Sequence, residues 1–182
     1  MAGSASAILR SLNEHGVRYV LIDGAALELH GSAYVTQDVD IVYRWAPANV
    51  ERLVRALAPY GPRLRVFGEP DGLAMVWDAR TIMNGGNFTL ITSLGDLDIL
   101  ATVAPGWKFE DLVDRYAARY DIDGLIVDML TLEGILETKK AAGRAKDYLA
   151  IPEIEAMIEA QAQLHASAPK DHPAGEHPTG EG

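Results

Sequence analysis

Hydrophobic positions first recur at helical spacing. Ile8, Leu9 and Leu12 share one face over residues 5–15, and Gly16 follows as a stop. The pattern then changes. Residues 17–22, Val-Arg-Tyr-Val-Leu-Ile, are apolar and β-rich and predict a buried strand. Asp23-Gly24 predicts a turn, residues 25–30 a short helix ended by Gly31, and residues 39–43 a second strand of alternating character. Over residues 49–59, Val50, Leu53, Val54 and Leu57 form one face of an amphipathic helix, with Arg52 and Arg55 off it.

Short strands are predicted at residues 63–67, 74–77, 87–92 and 97–101. Turn signals at Glu69-Pro70-Asp71-Gly72 and Asn84-Gly85-Gly86 separate them. Residues 109–120 return to helix, with Leu112, Val113, Tyr116 and Tyr120 on one face, and residues 125–127 form a last strand. Residues 131–142 read as a helix stopped by Gly143. A final helix takes Pro152 into its first turn and carries Ile154, Met157, Ile158 and Ala162. The order of elements predicts an α+β fold with a helical C-terminal part. The expected division is a core over residues 1–130, a helical part over 131–166 packed on it, and a disordered tail over 167–182, which has no large apolar residue. There is no internal repeat.

Charge and composition narrow the function classes. The 182-residue chain carries a formal charge of −10, which argues against a general nucleic-acid coat but leaves room for one local basic patch. The absence of cysteine excludes disulfide scaffolds, Cys-ligated zinc and thiol catalysis. The N-terminal residues lack a signal-peptide pattern, and no apolar run reaches the roughly 18 residues that cross a bilayer. A soluble, cytoplasmic protein with no membrane partner is the expectation.

Two acidic strands carry the candidate chemistry. In Asp38-Val39-Asp40 the carboxylates at i and i+2 project to one face while Val39 and Ile41 face a core. Two such charges about 4 Å apart repel by roughly 4 kcal/mol at an effective dielectric of 20, so the arrangement calls for a compensating cation, a proton or water. Asp96-Leu97-Asp98 repeats the pattern on another strand. Three or four carboxylates gathered this way suit one or two Mg²⁺ ions and a substrate phosphate. A solvated strand edge, with Asp96 in a turn, is the plainer reading of the same residues.

Gly24, between strand and helix, permits backbone N–H groups to approach a phosphate, although tight turns use glycine anyway. Lys139, Lys140, Arg144 and Lys146 form the one dense basic stretch. A helix presenting Lys139 or Lys140 and Arg144 could meet a triphosphate or an RNA backbone. His15 and His30 sit at predicted helix ends. His165, His172 and His177 lie in or beside the tail without metal-ligand spacing. There is no Walker loop, Rossmann fingerprint or Gly-x-Ser-x-Gly elbow.

The order of these pieces is also informative. The run Gly16 through Gly31, with its Val20-Leu21-Ile22-Asp23-Gly24 turn and His30-Gly31 end, is followed by Thr36-Gln37-Asp38-Val39-Asp40-Ile41. Together they resemble the opening of the minimal nucleotidyltransferases of the DNA polymerase-β superfamily, above all the AbiEii type that includes toxins of toxin–antitoxin pairs. Phe88 through Leu100 looks like that family's third-carboxylate strand. Leu136 through Asp147 is similar to its C-terminal helix with a lysine and a later Arg-x-Lys-Asp. The resemblance covers most of residues 16–150. It implies a mixed sheet flanked by helices and transfer of a nucleoside monophosphate (NMP) from a nucleoside triphosphate (NTP) to an acceptor hydroxyl. Asp38, Asp40 and Asp98 would be catalytic and hold Mg²⁺. Gly24, Thr36, Lys139 and Arg144 would bind nucleotide. The implied partners are the NTP, an RNA or tRNA acceptor or a small molecule such as an antibiotic, and an antitoxin protein.

Two positions depart from the family pattern. Asp23 stands where Gly-Gly or Gly-Ser is usual, and Tyr34 where many relatives have arginine. An added carboxylate beside a triphosphate is repulsive unless it points away or joins a metal. Other classes fit less well. Asp38-Val39-Asp40-Ile41-Val42 matches the Asp-x-Asp-x-Val of haloacid-dehalogenase phosphatases, but Tyr34-Val35-Thr36-Gln37 is not the buried apolar strand that fold places before it. A non-catalytic binding module on the same fold is the remaining alternative.

Overall fold

The computed structural model describes residues 3–33 and 36–167. The tail expected at 167–182 and the departure at Tyr34 therefore fall outside the described residues, except for the backbone of Ser167.

Helix α1 (Gly3–Glu14) buries Ile8, Leu9 and Leu12 and ends before Gly16, whose φ of +65° suits glycine. Strand β1 (Tyr19–Ile22) is buried throughout and runs directly into α2 (Asp23–Leu29), so the anticipated turn is itself the start of the helix. Strand β2 (Asp38–Tyr43) is followed by α3 (Pro47–Leu57), which opens on proline and buries Val50, Leu53 and Leu57. Then come β3 (Arg63–Val66), β4 (Glu69–Leu73), α4 (Ala79–Gly85), β5 (Phe88–Thr92) and β6 (Gly95–Leu100). The chain closes with α5 (Phe109–Arg115), β7 (Ala117–Ile122), β8 (Leu125–Leu130), α6 (Leu132–Ala142) and α7 (Ala145–Ser167).

Five local readings are corrected. Residues 69–72, read as a turn, lie within β4, and residues 74–77, read as a strand, are unpaired. The turn is the two-residue Phe67-Gly68, with Gly68 at φ +87°. Because β4 is an edge strand, Pro70 there removes no obligatory ladder bond. The signal at 84–86 is the end of α4, a helix started by Asp78, whose carboxylate accepts from the Thr81 N–H at 2.7 Å. The helix expected over 109–120 stops at Arg115, and Ala117–Ile122 pairs along its whole length with β8. Pro152 lies inside α7, which begins seven residues earlier, rather than in a first turn.

The eight strands form one mixed sheet in the order β4-β3-β5-β6-β2-β1-β8-β7. At its centre β2 runs antiparallel to β1 and parallel to β6. The predicted α+β class and mixed sheet are observed. Val39, Ile41, Leu97 and Ile99 enter the core from β2 and β6. That leaves their alternate residues on the opposite face. No helix among the described residues is long and apolar enough to cross a membrane.

Candidate active site

The alternation of β2 and β6 places the carboxylates. Parallel pairing sets Asp38 beside Asp96 and Asp40 beside Asp98, so four acids share one face of two central strands. On the other flank Asp40 pairs with Ile22, and the next residue is Asp23. A polar pocket of about 180 Å³ opens here, lined by Asp23, Gly24, Thr36, Asp38, Asp40, Arg65, Asp98, Arg144 and Lys146. Of the residues proposed from the sequence, Asp96, Lys139 and Lys140 do not line it. Lys139 borders an adjoining cleft of about 320 Å³ with Asp23, Leu27, Lys146, Leu149, Ala150 and Glu153.

Gly24 and Thr36 act on each other. A Cβ on Gly24 would stand 2.8 Å from the Thr36 Cβ, so the missing side chain is what lets the segment before β2 lie against α2. Thr36 Oγ1 in turn donates to Asp38 Oδ1 at 2.6 Å. Burial pushes Asp38 up, but this bond, the backbone hydrogen bond and the charges of Arg65 and Lys146 outweigh it and hold the carboxyl below its usual range. Asp40 goes the other way. Desolvation, then the charges of Asp23, Asp38 and Asp98, push it up to about 7. Burial also raises Asp98, against the pull of Arg65.

Arg65 is the site residue that sequence reasoning missed. From β3 its guanidinium donates to Asp96 at 2.7 Å and to Asp98 at 2.8 Å, and it lies 3.5 Å from Asp38. The alternation of Arg63-Leu64-Arg65-Val66 shows that Arg65 shares a face with Arg63. Only the sheet order shows which acids it meets.

The basic stretch forms a second ion cluster. Lys139 Nζ donates to Asp23 Oδ1 at 2.5 Å and lies 3.6 Å from Asp147. Arg144 donates to Asp147 at 2.6 and 3.1 Å and lies 3.7 Å from Asp23. Asp147 is fully enclosed. Burial raises its pKa, but the hydrogen bonds from Arg144 and the charges of Arg144 and Lys139 hold it below the usual carboxylate range. Asp23, with φ +50°, therefore turns toward the lysine of α6. The histidines at the helix ends are structural: His15 and His30 bond the backbone carbonyls of Ser11 and Leu130.

The donor set fits a hard divalent cation. The lining is nearly all polar, the ligands on offer are carboxylates, and Asp40 is raised chiefly by desolvation and by neighbouring negative charge that a cation would offset. As the side chains stand, no three acids among the described residues converge on one point, with Asp98 and Asp38 drawn toward Arg65.

No protein-family model matches the sequence, and no curated protein matches it significantly. Solved structures are similar in fold. LnuA, a lincosamide antibiotic adenylyltransferase solved with lincomycin bound, aligns with a TM-score of 0.58 and 16% identity over 86% of this chain and 98% of that one. ANT(2'')-Ia in complex with adenylyl-2''-tobramycin gives 0.51 and 13%, over 88% and 95%. An antigenic nucleotidyltransferase-like protein from Paracoccidioides brasiliensis gives 0.51 and 18%, over 86% and 74%. The chain has the mixed α+β fold of these nucleotidyltransferases.

Proposed function

We propose that this protein is a Mg²⁺-dependent nucleotidyltransferase that moves NMP from an NTP to an acceptor hydroxyl. The observation that supports it most is the register of β2 and β6, which gathers Asp38, Asp40 and Asp98 on one polar face. In the reaction the acceptor oxygen bonds to the α-phosphorus, the bond from that phosphorus to the bridging oxygen breaks, and pyrophosphate leaves. Asp98, the most enclosed of the acids contacting Arg65, takes the acceptor proton. Asp38 and Asp40 with Asp98 would hold Mg²⁺, which would supply positive charge against the triphosphate. Thr36 keeps Asp38 ionised and aimed.

The sequence resemblance to AbiEii-type proteins favours an RNA or tRNA acceptor, hence a toxin-like role with an antitoxin partner. The fold likeness to LnuA and ANT(2'')-Ia, whose structures contain lincomycin and adenylyl-tobramycin, favours an antibiotic acceptor about equally. Incubation with labelled NTPs and Mg²⁺, in separate arms with total RNA, a lincosamide and an aminoglycoside, tests both. Label is expected in one arm and at least 100-fold less in Asp38→Ala and Asp98→Ala, the scale of losing a group that stabilises transition-state charge. Equal labelling by all three proteins sinks the reading.

A further inference from the structure

Four cationic side chains stand around the site, and three are already committed. Arg65 bonds two carboxylates and faces a third. Lys139 and Arg144 are held between Asp23 and Asp147. Lys146 differs. Among the described residues no carboxylate forms an ion pair with it, although it lines both the acidic pocket and the adjoining cleft. Its charge reaches Asp38, Asp40 and Asp98 and opposes the burial that pushes each of them up.

This difference decides what an incoming anion meets. A phosphate binding Lys139 must compete with Asp23, and one drawing on Lys139 or on the Nε and Nη2 donors of Arg144 would weaken the partners of Asp147, a carboxylate with no exposed surface. Removing a partner from such a buried charge is strongly unfavourable, which offsets the attraction gained. A phosphate binding Lys146 displaces no carboxylate. The backbone beneath Lys146 is also fixed. Asp147 Oδ2 accepts from the Arg144 N–H at 3.2 Å, and Gly143 ends α6 in the left-handed conformation. The side chain thus projects, exposed, from an anchored turn.

Resting on the transferase reading above, we propose that Lys146 is the side chain that meets the phosphates of the NTP and of the pyrophosphate released from it. Lys139 and Arg144 are positioning residues that hold Asp23 and Asp147. This changes the assignment drawn from the basic stretch, where Lys139 and Arg144 were the expected triphosphate ligands.

Pyrophosphate is common to every NTP, so its binding by calorimetry in the presence of Mg²⁺ tests the proposal without knowing the nucleotide. Lys146→Gln is expected to weaken binding about tenfold or more, as for loss of a charged hydrogen bond. Lys146→Arg should restore it to within about threefold. Arg144→Gln should change it by less than about threefold, while lowering the melting temperature. Lys146→Gln should leave melting unchanged, because the side chain is exposed. Binding by Lys146→Gln equal to that of the unaltered protein overturns the proposal, as does an equal loss in Arg144→Gln. No pyrophosphate binding by the unaltered protein overturns it too. Labelled NMP incorporation in the same preparation shows whether the transferase reading stands or falls separately.

Discussion

Asp40 of β2 and Asp98 of β6 are direct partners across the parallel pair at the centre of the sheet. Desolvation, together with the charges of Asp23, Asp38 and Asp98, raises the Asp40 carboxyl from 3.8 to about 7. The folded chain therefore binds this proton more tightly than the unfolded chain. The stabilisation from that proton is complete below about pH 4 and is lost as pH rises to 7. Above pH 7 the ionised carboxylate is a net burden. Asp40→Asn should stabilise the metal-free protein by about 1–3 kcal/mol at pH 8 and by almost nothing near pH 4, read by denaturant unfolding. An equal effect at both pH values would contradict this origin.

The same proton competes with a divalent cation, because a carboxylate must be ionised to ligate. With Asp40 titrating near 7, its ionised fraction rises about tenfold between pH 6 and pH 8. Mn²⁺ affinity, followed by paramagnetic resonance, should rise about tenfold over that interval. In Asp40→Asn the pH dependence should largely disappear. A flat profile in the unaltered protein would remove Asp40 from the ligand set.

Gly24→Ala places a methyl group 2.8 Å from the Thr36 Cβ, closer than packed carbons tolerate. Alanine gains about 1 kcal/mol of helix propensity, but the displacement of Thr36 should leave a net loss of about 1 kcal/mol. Thr36→Val keeps the shape and removes only the hydrogen bond to Asp38. It should raise the Asp38 pKa, measured by carbon NMR of the carboxyl, with less effect on folding than Gly24→Ala. Unchanged titration of Asp38 in Thr36→Val would refute the role assigned to the hydroxyl.

Asp147→Ala leaves Lys139, itself nearly buried, without one of its two acids and Arg144 without its main partner. About 3 kcal/mol of destabilisation is expected at pH 7. The Asp147 pKa is lowered on folding, so its contribution is present above the unfolded value and is lost as pH falls through the folded one. The gap between the two proteins should narrow below about pH 4. A gap independent of pH would mean that packing, not charge, accounts for it.

Much of the acidic face was legible because it follows from local periodicity. Val39 and Ile41 must go inward, so Asp38 and Asp40 go outward, and the same holds for Leu97 and Asp98. Helices α3 and α6 were readable for a similar reason, with apolar faces and clear stops. Beyond that, spacing was ambiguous. Tyr116 and Tyr120 suit a helical face, yet Tyr120 and Ile122 also alternate inward along β7, and pairing with β8 decided between the two. The partners of Arg65 and Asp23 were not readable at all, because each depends on strand order or on residues far along the chain. Asp23 is the telling case. It resembled an intruding charge in the sequence and proves to be the counter-ion of Lys139.

That pairing spans 116 positions of the chain. Every acid lining the polar pocket precedes residue 99, whereas three of the four cations around it arrive after residue 138. A chain emerging from its N-terminus therefore exposes the acidic strands well before most of the charge that balances them. Contacts of such large separation form late and slowly. Assembly of this site should accordingly be one of the last events of folding, and a chain ended before α6 should not hold β2 and β6 in register near neutral pH.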